Sequence, residues 1–208
     1  MAYEFNGTNQ CLNTSFAPAS GTPMTIAAWV NPDNRPGVAV CIYSTVDSDR
    51  FQIQFDTTVT GATSVNDGIS FGSASSASVS INQWSHICGI FNSSNNRVSY
   101  TNGTAGTANT ANVAPVSSFN SILIGAQQAA GSKVTYLDGR IAEVGIWSAA
   151  LTAAEVASLA KGMTCDKVRP QNLVFYAPLV RDLIDQKGGL TITNNNSATV
   201  ANHPRVYA

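Results

Sequence analysis

Apolar and polar residues alternate along most of this chain. Met24, Ile26, Ala28 and Val30 interleave with Thr25, Ala27, Trp29 and Asn31, the period-2 pattern of a strand. Phe51, Ile53 and Phe55 interleave with Gln52, Gln54 and Asp56, which predicts one buried and one wet face. Residues 84–91 read as a longer strand and 97–101 as its hairpin partner, closed by the tight-turn pair Asn102-Gly103. Residues 118–125 read as another strand. Turn signals recur at short intervals: Asn6-Gly7, Pro32-Asp33-Asn34, Asp47-Ser48-Asp49, Asn66-Asp67-Gly68 and the run from Asn92 to Asn96. Short strands with this punctuation predict an all-β sandwich or barrel. Residues 73–78 and 103–112 carry little hydrophobic signal and read as exposed loops.

The grammar changes once. In residues 136–162, a strand with Ile141, Glu143, Gly145 and Trp147 on one side and Arg140, Ala142, Val144 and Ile146 on the other runs into a short helix near 152–161. Thr152 can cap it, and Glu155 three residues on completes a capping box. Leu151 and Val156 can form a hydrophobic staple, Val156, Leu159, Ala160 and Met163 recur at helical spacing, and Gly162 is a natural stop. After it, 172–179 reads as a strand, 182–189 as a turn, and 190–193 and 197–200 as short strands. No Gly/Pro/Ser linker sets this tail apart, so residues 1–208 are expected to form a single domain, completed by 172–208.

Charge narrows the function classes. Of 208 residues only 11% are charged, 11 basic against 12 acidic, so the surface must be built from Ser, Thr, Asn, Gln and Ala rather than from the usual quarter of charged residues. Such a surface suits protein contacts or hydroxyl-rich ligands. With a net charge of −1 and no basic cluster, nucleic-acid binding is not expected. Nor is a membrane span, since no apolar run approaches the roughly 20 residues one needs. The segment MAYEFNGTNQ has neither the basic start nor the apolar stretch of a signal peptide. Cys11, Cys41, Cys88 and Cys165 form no CxxC pair, and without an export signal they are expected to be reduced structural thiols, Cys41 and Cys88 buried among apolar strand residues.

Several segments carry a resemblance. Phe5-Asn6-Gly7 resembles the "F-x-G-x-x-x-x-L" opening of laminin G-like, concanavalin A-like jelly rolls. Residues 23–30 (PMTIAAWV) resemble their "P-x-T-I-x-x-W-V" strand, Trp84-Ser85-His86 their "W-x-H" strand, and Asn102-Gly103 the hairpin that follows. Residues 137–147 (LDGRIAEVGIW) resemble "F-x-G-x-I-x-E-V-x-I-W", and 151–156 the "L-S/T-x-x-E-I" helix after it. The match runs in order from about residue 3 to 162. It implies a jelly-roll sandwich of two antiparallel sheets with one short helix. In this family an "L-V-x-Y-x-P-L" segment usually precedes the "F-x-G" strand. Here residues 173–179 (LVFYAPL), with Asp185 and Gly188-Gly189, follow the helix, as in a circular permutation or a return strand filling the same sheet position. That order resembles proteins of tailed bacteriophages.

Candidate chemistry is sparse. Sandwich glycosidases need two carboxylates flanking the scissile bond, and no E-x-D-x-x-E pattern occurs. Glu4, Asp33, Asp47, Asp49, Asp56, Asp67, Asp138, Glu143 and Glu155 are scattered, so no catalytic residues are assigned and no enzyme is expected. His86 reads as a core or sub-surface histidine rather than a general base or metal ligand, and His203 as a docking or turn residue. No cofactor site is assigned. The resemblance raises Ca²⁺, for which Asp47, Asp49, Asp67 and Asp138 are the candidate oxygen donors, with Asp138 reading first as a bulge or turn residue. Trp29, Trp84 and Trp147 could stack on sugars, but their apolar neighbours favour the core. Tyr3, Tyr43, Tyr100 and Tyr207 are the better candidates for exposed aromatic platforms. The expectation is a non-enzymatic structural or interaction protein of a phage virion, such as a capsid decoration or fibre-associated protein. It would self-associate and contact other virion proteins such as the capsid protein, with carbohydrate binding to surface glycans as the alternative.

Overall fold

A computed structural model describes residues 1–207 apart from 17–20, 35, 46–48, 57–59 and 116–118. In chain order its strands begin with β1 (Ala2–Asn6), β2 (Cys11–Ser15), β3 (Met24–Pro32), β4 (Gly37–Tyr43), β5 (Asp49–Phe55) and β6 (Thr60–Asp67). Then come β7 (Phe71–Ser78), β8 (Ser85–Ser93), β9 (Asn96–Thr101), β10 (Thr104–Ala105), β11 (Ser121–Ile124), β12 (Gln127–Ala129) and β13 (Ser132–Val134). The last are β14 (Asp138–Trp147), β15 (Leu173–Ala177), β16 (Thr193–Asn195) and β17 (Thr199–Ala201), with helix α1 (Ala153–Ala160) and a 3-10 turn (Cys165–Lys167) between β14 and β15. One sheet of eight strands runs β10-β9-β8-β3-β14-β1-β17, with β15 also on β14; a second of seven runs β16-β2-β11-β4-β5-β6-β7; β12 and β13 pair as a small ribbon. Every described pairing between these strands is antiparallel. This is the expected sandwich with one short helix.

The main core lies between the sheets. Ile26, Ala28, Val30, Ile141, Val144 and Ile146 come from one side, and Val40, Ile42, Phe51, Ile53 and Phe55 from the other. Phe51 meets Phe91 edge to face, ring centroids 4.8 Å apart. The helix closes the outer side of the eight-stranded sheet, where Val156 and Leu159 pack on Ala27, Cys88, Ile90, Trp147 and Tyr176. Its ends are built as the sequence predicts. Thr152 Oγ1 accepts from the Glu155 N–H, and Glu155 Oε2 accepts from the Thr152 N–H at 2.7 Å. At the other end the Met163 N–H donates to the Ser158 carbonyl and Gly162 N–H to that of Leu159, a Schellman closure with Gly162 at φ 99°. Leu151 and Val156 share one cluster, as a staple requires. Met163, beyond the cap, is exposed.

Four expectations need correction. Residues 71–78 are a strand, β7 at the sheet edge, not a loop. It lacks a hydrophobic signature because its inward neighbours are polar. A side chain at Gly72 would collide with the buried Arg97 guanidinium, and Ser76 Oγ bonds the Gly61 carbonyl, Ser99 and Thr101. Within 103–112, Thr104–Ala105 extends the other sheet and Asn109 bridges to Arg97. The tail strands sit one to three residues later than expected.

The fourth correction is to the alternation in β14, which is not continuous. Glu143 adopts φ 54° and the register to β3 jumps between Ala142 and Gly145. This β-bulge adds one residue and reverses the phase. Ile141 before it and Val144 and Ile146 after it face the main core, so Trp147 faces outward beneath the helix. The bulge also divides one edge of β14 between two partners: β1 pairs with 138–141 and β15 with 144–147. Residues 173–177 thus return to fill the remainder of a sheet position that β1 begins. All four cysteines are buried and free. Burial pushes the Cys41 thiol up to about 11 and raises the other three, so none is a ready nucleophile.

Candidate functional site

Three turns converge at one end of the eight-stranded sheet. The turn after β1 is tied by Asn6, whose Oδ1 accepts the N–H groups of Thr8, Asn9 and Gln10. The turn after β3 is held by the Asp138 carbonyl, which accepts from Asp33 N–H at 2.8 Å. The approach to β14 is fixed by Leu137 N–H on the Gly125 carbonyl and Gly7 N–H on the Leu137 carbonyl, both 2.9 Å. The two motif glycines are what let these turns meet. A Cβ on Gly7, at φ 69°, would lie 2.8 Å from Asp138 Cβ, and one on Gly139, at φ 136°, would strike the Asn31 carbonyl.

Between the turns lies a pocket of about 470 Å³ lined by Asn6, Gly7, Thr8, Asn34, Pro36, Thr135, Tyr136 and Asp138. The lining is mostly polar, and Asp138 is the one carboxylate among its described residues. That carboxylate has no hydrogen-bond partner among the described residues. Beside the pocket, Arg140 joins Glu4 at 2.8 Å and Asp33 at 3.3 Å. The arrangement offers amide, hydroxyl and carboxylate groups around one aromatic ring, the set that holds a hydroxyl-rich ligand.

The other sequence candidates fall elsewhere. Trp147 is core, with its indole N–H on the Val168 carbonyl at 2.8 Å, but Trp29 and Trp84 are half-buried rather than core. Neither belongs to the cluster of buried residues beneath α1. Tyr3, Tyr43 and Tyr100 are buried, whereas Tyr207 is exposed and lines a second, mostly apolar groove with Ser158, Lys161, Met163 and Lys167. Phe71 is also exposed. His86 is a buried histidine whose ring meets Trp29 edge-on at 5.5 Å, and burial lowers its pKa to about 3. His203 docks the C-terminal segment: its Nε2 lies 3.1 Å from the buried Glu143, outside hydrogen-bond alignment, while Tyr176 O–H donates to the same carboxylate at 2.6 Å. Asp49 is buried opposite Asp67 in the β5–β6 ladder, and Asp67 accepts turn N–H groups from Ile69 and Ser70. Asp47 lies outside the described residues. Among the described residues no three His, Cys, Asp or Glu side chains cluster for a metal.

Asp138 is both a turn residue, through its carbonyl, and a pocket residue, through its side chain. The roles of Asn34, Pro36, Thr135 and Tyr136 had no sequence signal beyond the neighbouring turn pairs.

A profile of the concanavalin A-like lectin/glucanase superfamily matches residues 6–157. The chain belongs to that superfamily. Solved structures repeat its fold at low identity. A heptameric SAP-like pentraxin from Limulus polyphemus is 18% identical, with a TM-score of 0.65 over 93% of this chain and 94% of that one. A candidate carbohydrate-binding protein from Bacteroides ovatus is 16% identical, with a TM-score of 0.69 over all of this chain and 61% of that one. Domain 4 of an extracellular arabinanase from Geobacillus stearothermophilus, in complex with arabinotriose, is 15% identical, with a TM-score of 0.60 over 76% of each. No curated protein sequence matches the chain.

Proposed function

We propose that this superfamily member is a non-catalytic, lectin-like domain that binds carbohydrate in the pocket between the three turns. The observation that carries the reading is the lining itself: Asn34, Thr8 and Asp138 converge with Tyr136 in about 470 Å³. Support comes from the carbohydrate-binding and arabinotriose-bound relatives in fold. A glycosidase would need a second free carboxylate across the bond; Asp138 is the one carboxylate among the described lining residues, and Glu4 and Asp33 beside it are both tied to Arg140. A glycan array followed by calorimetry on the strongest hit tests the reading. Asp138→Ala should cut affinity by about tenfold or more, the loss of a charge-assisted hydrogen bond, with an unchanged unfolding curve. An array with no hit sinks it.

A place in a phage virion is a second reading, favoured by the charge-poor surface and by Ile69 and Phe71, 97% and 54% exposed beside the β6–β7 turn. It predicts that the protein self-associates in light scattering and co-purifies with assembled particles. A monomer absent from particles would remove it.

A further inference from the structure

The pocket does not end at Asp138. Before the bulge, Asp138, Arg140 and Ala142 point to the outer side of the sheet, opposite the core residue Ile141. Register places Asn6 beside Asp138, Glu4 and Asn31 on either side of Arg140, and Trp29 beside Ala142. His86 follows Trp29 on β8. From the pocket, one polar track therefore crosses Arg140, Asp33 and Glu4 and ends on a half-buried tryptophan ring. Beyond Glu143 the same face is closed by the helix and the return strand.

We infer that the ligand is a linear, uncharged oligosaccharide lying along this track, with one end unit in the Asp138 pocket and a later unit stacked on Trp29. The inference rests on the carbohydrate reading of the pocket. Length argues for it: Asp138 and Ala142 are four residues apart, about 13 Å by strand rise, which is more than one pyranose ring spans. Charge argues for it too. Among the described residues the track carries the carboxylates of Glu4, Asp33 and Asp138 against the single guanidinium of Arg140, which is already shared between two of them. A uronic or sulfated sugar would meet net repulsion, whereas hydroxyl groups can donate to the carboxylates and accept from Arg140. Trp29 supplies what a sugar face needs, a flat apolar ring, and His86 meets it edge to face at 5.5 Å from the neighbouring strand.

The test is a set of neutral β-linked ladders, cello-, xylo- and chito-oligosaccharides of one to five units, titrated by calorimetry into the whole protein. Affinity should rise by about tenfold or more between the monomer and the trimer or tetramer and then level off. Trp29→Ala should erase that rise and leave monomer affinity unchanged, Trp29→Phe should retain part of it, and Asp138→Ala should weaken every length. Hexuronate oligomers should bind more weakly than their neutral counterparts. A length-independent affinity, or a Trp29→Ala protein that binds all lengths like the wild type, overturns the track while leaving the pocket intact. Absence of binding by every ladder overturns the track, and the glycan array then decides the pocket separately. Unfolding curves of each variant separate lost binding from lost folding.

Discussion

Trp147 and Trp29 stand on the same outer side of the same sheet, one on β14 and the other on its neighbour β3. Trp147 has no exposed surface: α1, the 3-10 turn and β15 enclose it, and its indole N–H is spent on Val168. Trp29 is outside that cluster and stays partly exposed. Glu143 stands at the division. On its far side the sheet face has become a second hydrophobic core; on its near side it carries Arg140, Asn31 and Trp29 and leads to the polar pocket. The same residue type on the same face thus serves stability in one half and is free to serve recognition in the other. The strand does not make that choice; what is laid over it does.

The harshest way to break this division is to insert one alanine between Glu143 and Val144. One further residue shifts everything beyond the bulge by one position and turns Val144, Ile146 and Trp147 to the opposite faces. The expected outcome is loss of cooperative unfolding and of native near-UV circular dichroism; a cooperatively folded insertion variant would show that the phase set at the bulge does not keep the two cores apart. A milder break is the pair Trp147→Ala and Trp29→Ala, compared in urea. Trp147→Ala should cost about 3–5 kcal/mol, the range for emptying a buried aromatic site. Trp29→Ala should cost about 1–2 kcal/mol, in proportion to its partial burial. Equal losses would mean that the two halves of the face are not distinct.

That distinction was only half legible in the sequence. Thr152, Glu155 and Gly162 announce the helix because capping is local chemistry, readable from spacing alone. The strands β3 and β5 announce themselves because one of their faces meets an apolar core. β7 does not, because its inner face meets Arg97 and a serine–threonine network, and a strand held by polar partners looks like a loop. The bulge at Glu143 is silent because the alternation reads smoothly straight through it. Trp29 and Trp147 have similar apolar neighbours in sequence, and only the position of α1 separates them. Asn6-Gly7 and Asp138-Gly139 were visible as turn signals. Their meeting in one pocket required β1 and β14 to be sheet neighbours, which no local pattern encodes.

Acid sharpens the comparison at the ring's edge. His86 sits neutral beside Trp29, its Nδ1 without a hydrogen-bond partner among the described residues. Its folded pKa is about 3 because of burial, while an unfolded histidine titrates near 6.5. Between those values the unfolded chain holds a proton that the folded chain does not. Stability should therefore fall as pH drops below about 6.5, by a few kcal/mol in all as pH 3 is approached. His86→Phe should flatten this slope in a series of urea melts from pH 7 to 3. Trp29→Ala should flatten it partly, by letting water reach the ring. An unchanged slope in both variants would place the acid sensitivity elsewhere and remove Trp29 as the lid over His86.

The smallest effect concerns what holds the cover down on the closed half. Glu155 completes the helix cap and also takes both prongs of Arg169, Nε to Oε1 at 2.8 Å and Nη2 to Oε2 at 2.6 Å, tying α1 to the segment before β15. Burial alone would raise its pKa, but the Thr152 N–H and the Arg169 guanidinium hold it below its ordinary value. Its contribution is thus present above about pH 4 and is lost as pH falls through the lower folded value. Glu155→Ala should cost about 1–2 kcal/mol at neutral pH, as a lost cap with a partly exposed ion pair should, and the gap from wild type should close in acid. Glu155→Gln should recover the cap but not the pair, and so fall between. Because the pair lies over Trp147 and away from Trp29, hydrogen exchange should quicken in α1 and leave β3 unchanged; loosening of β3 as well would mean that the two halves share one cover.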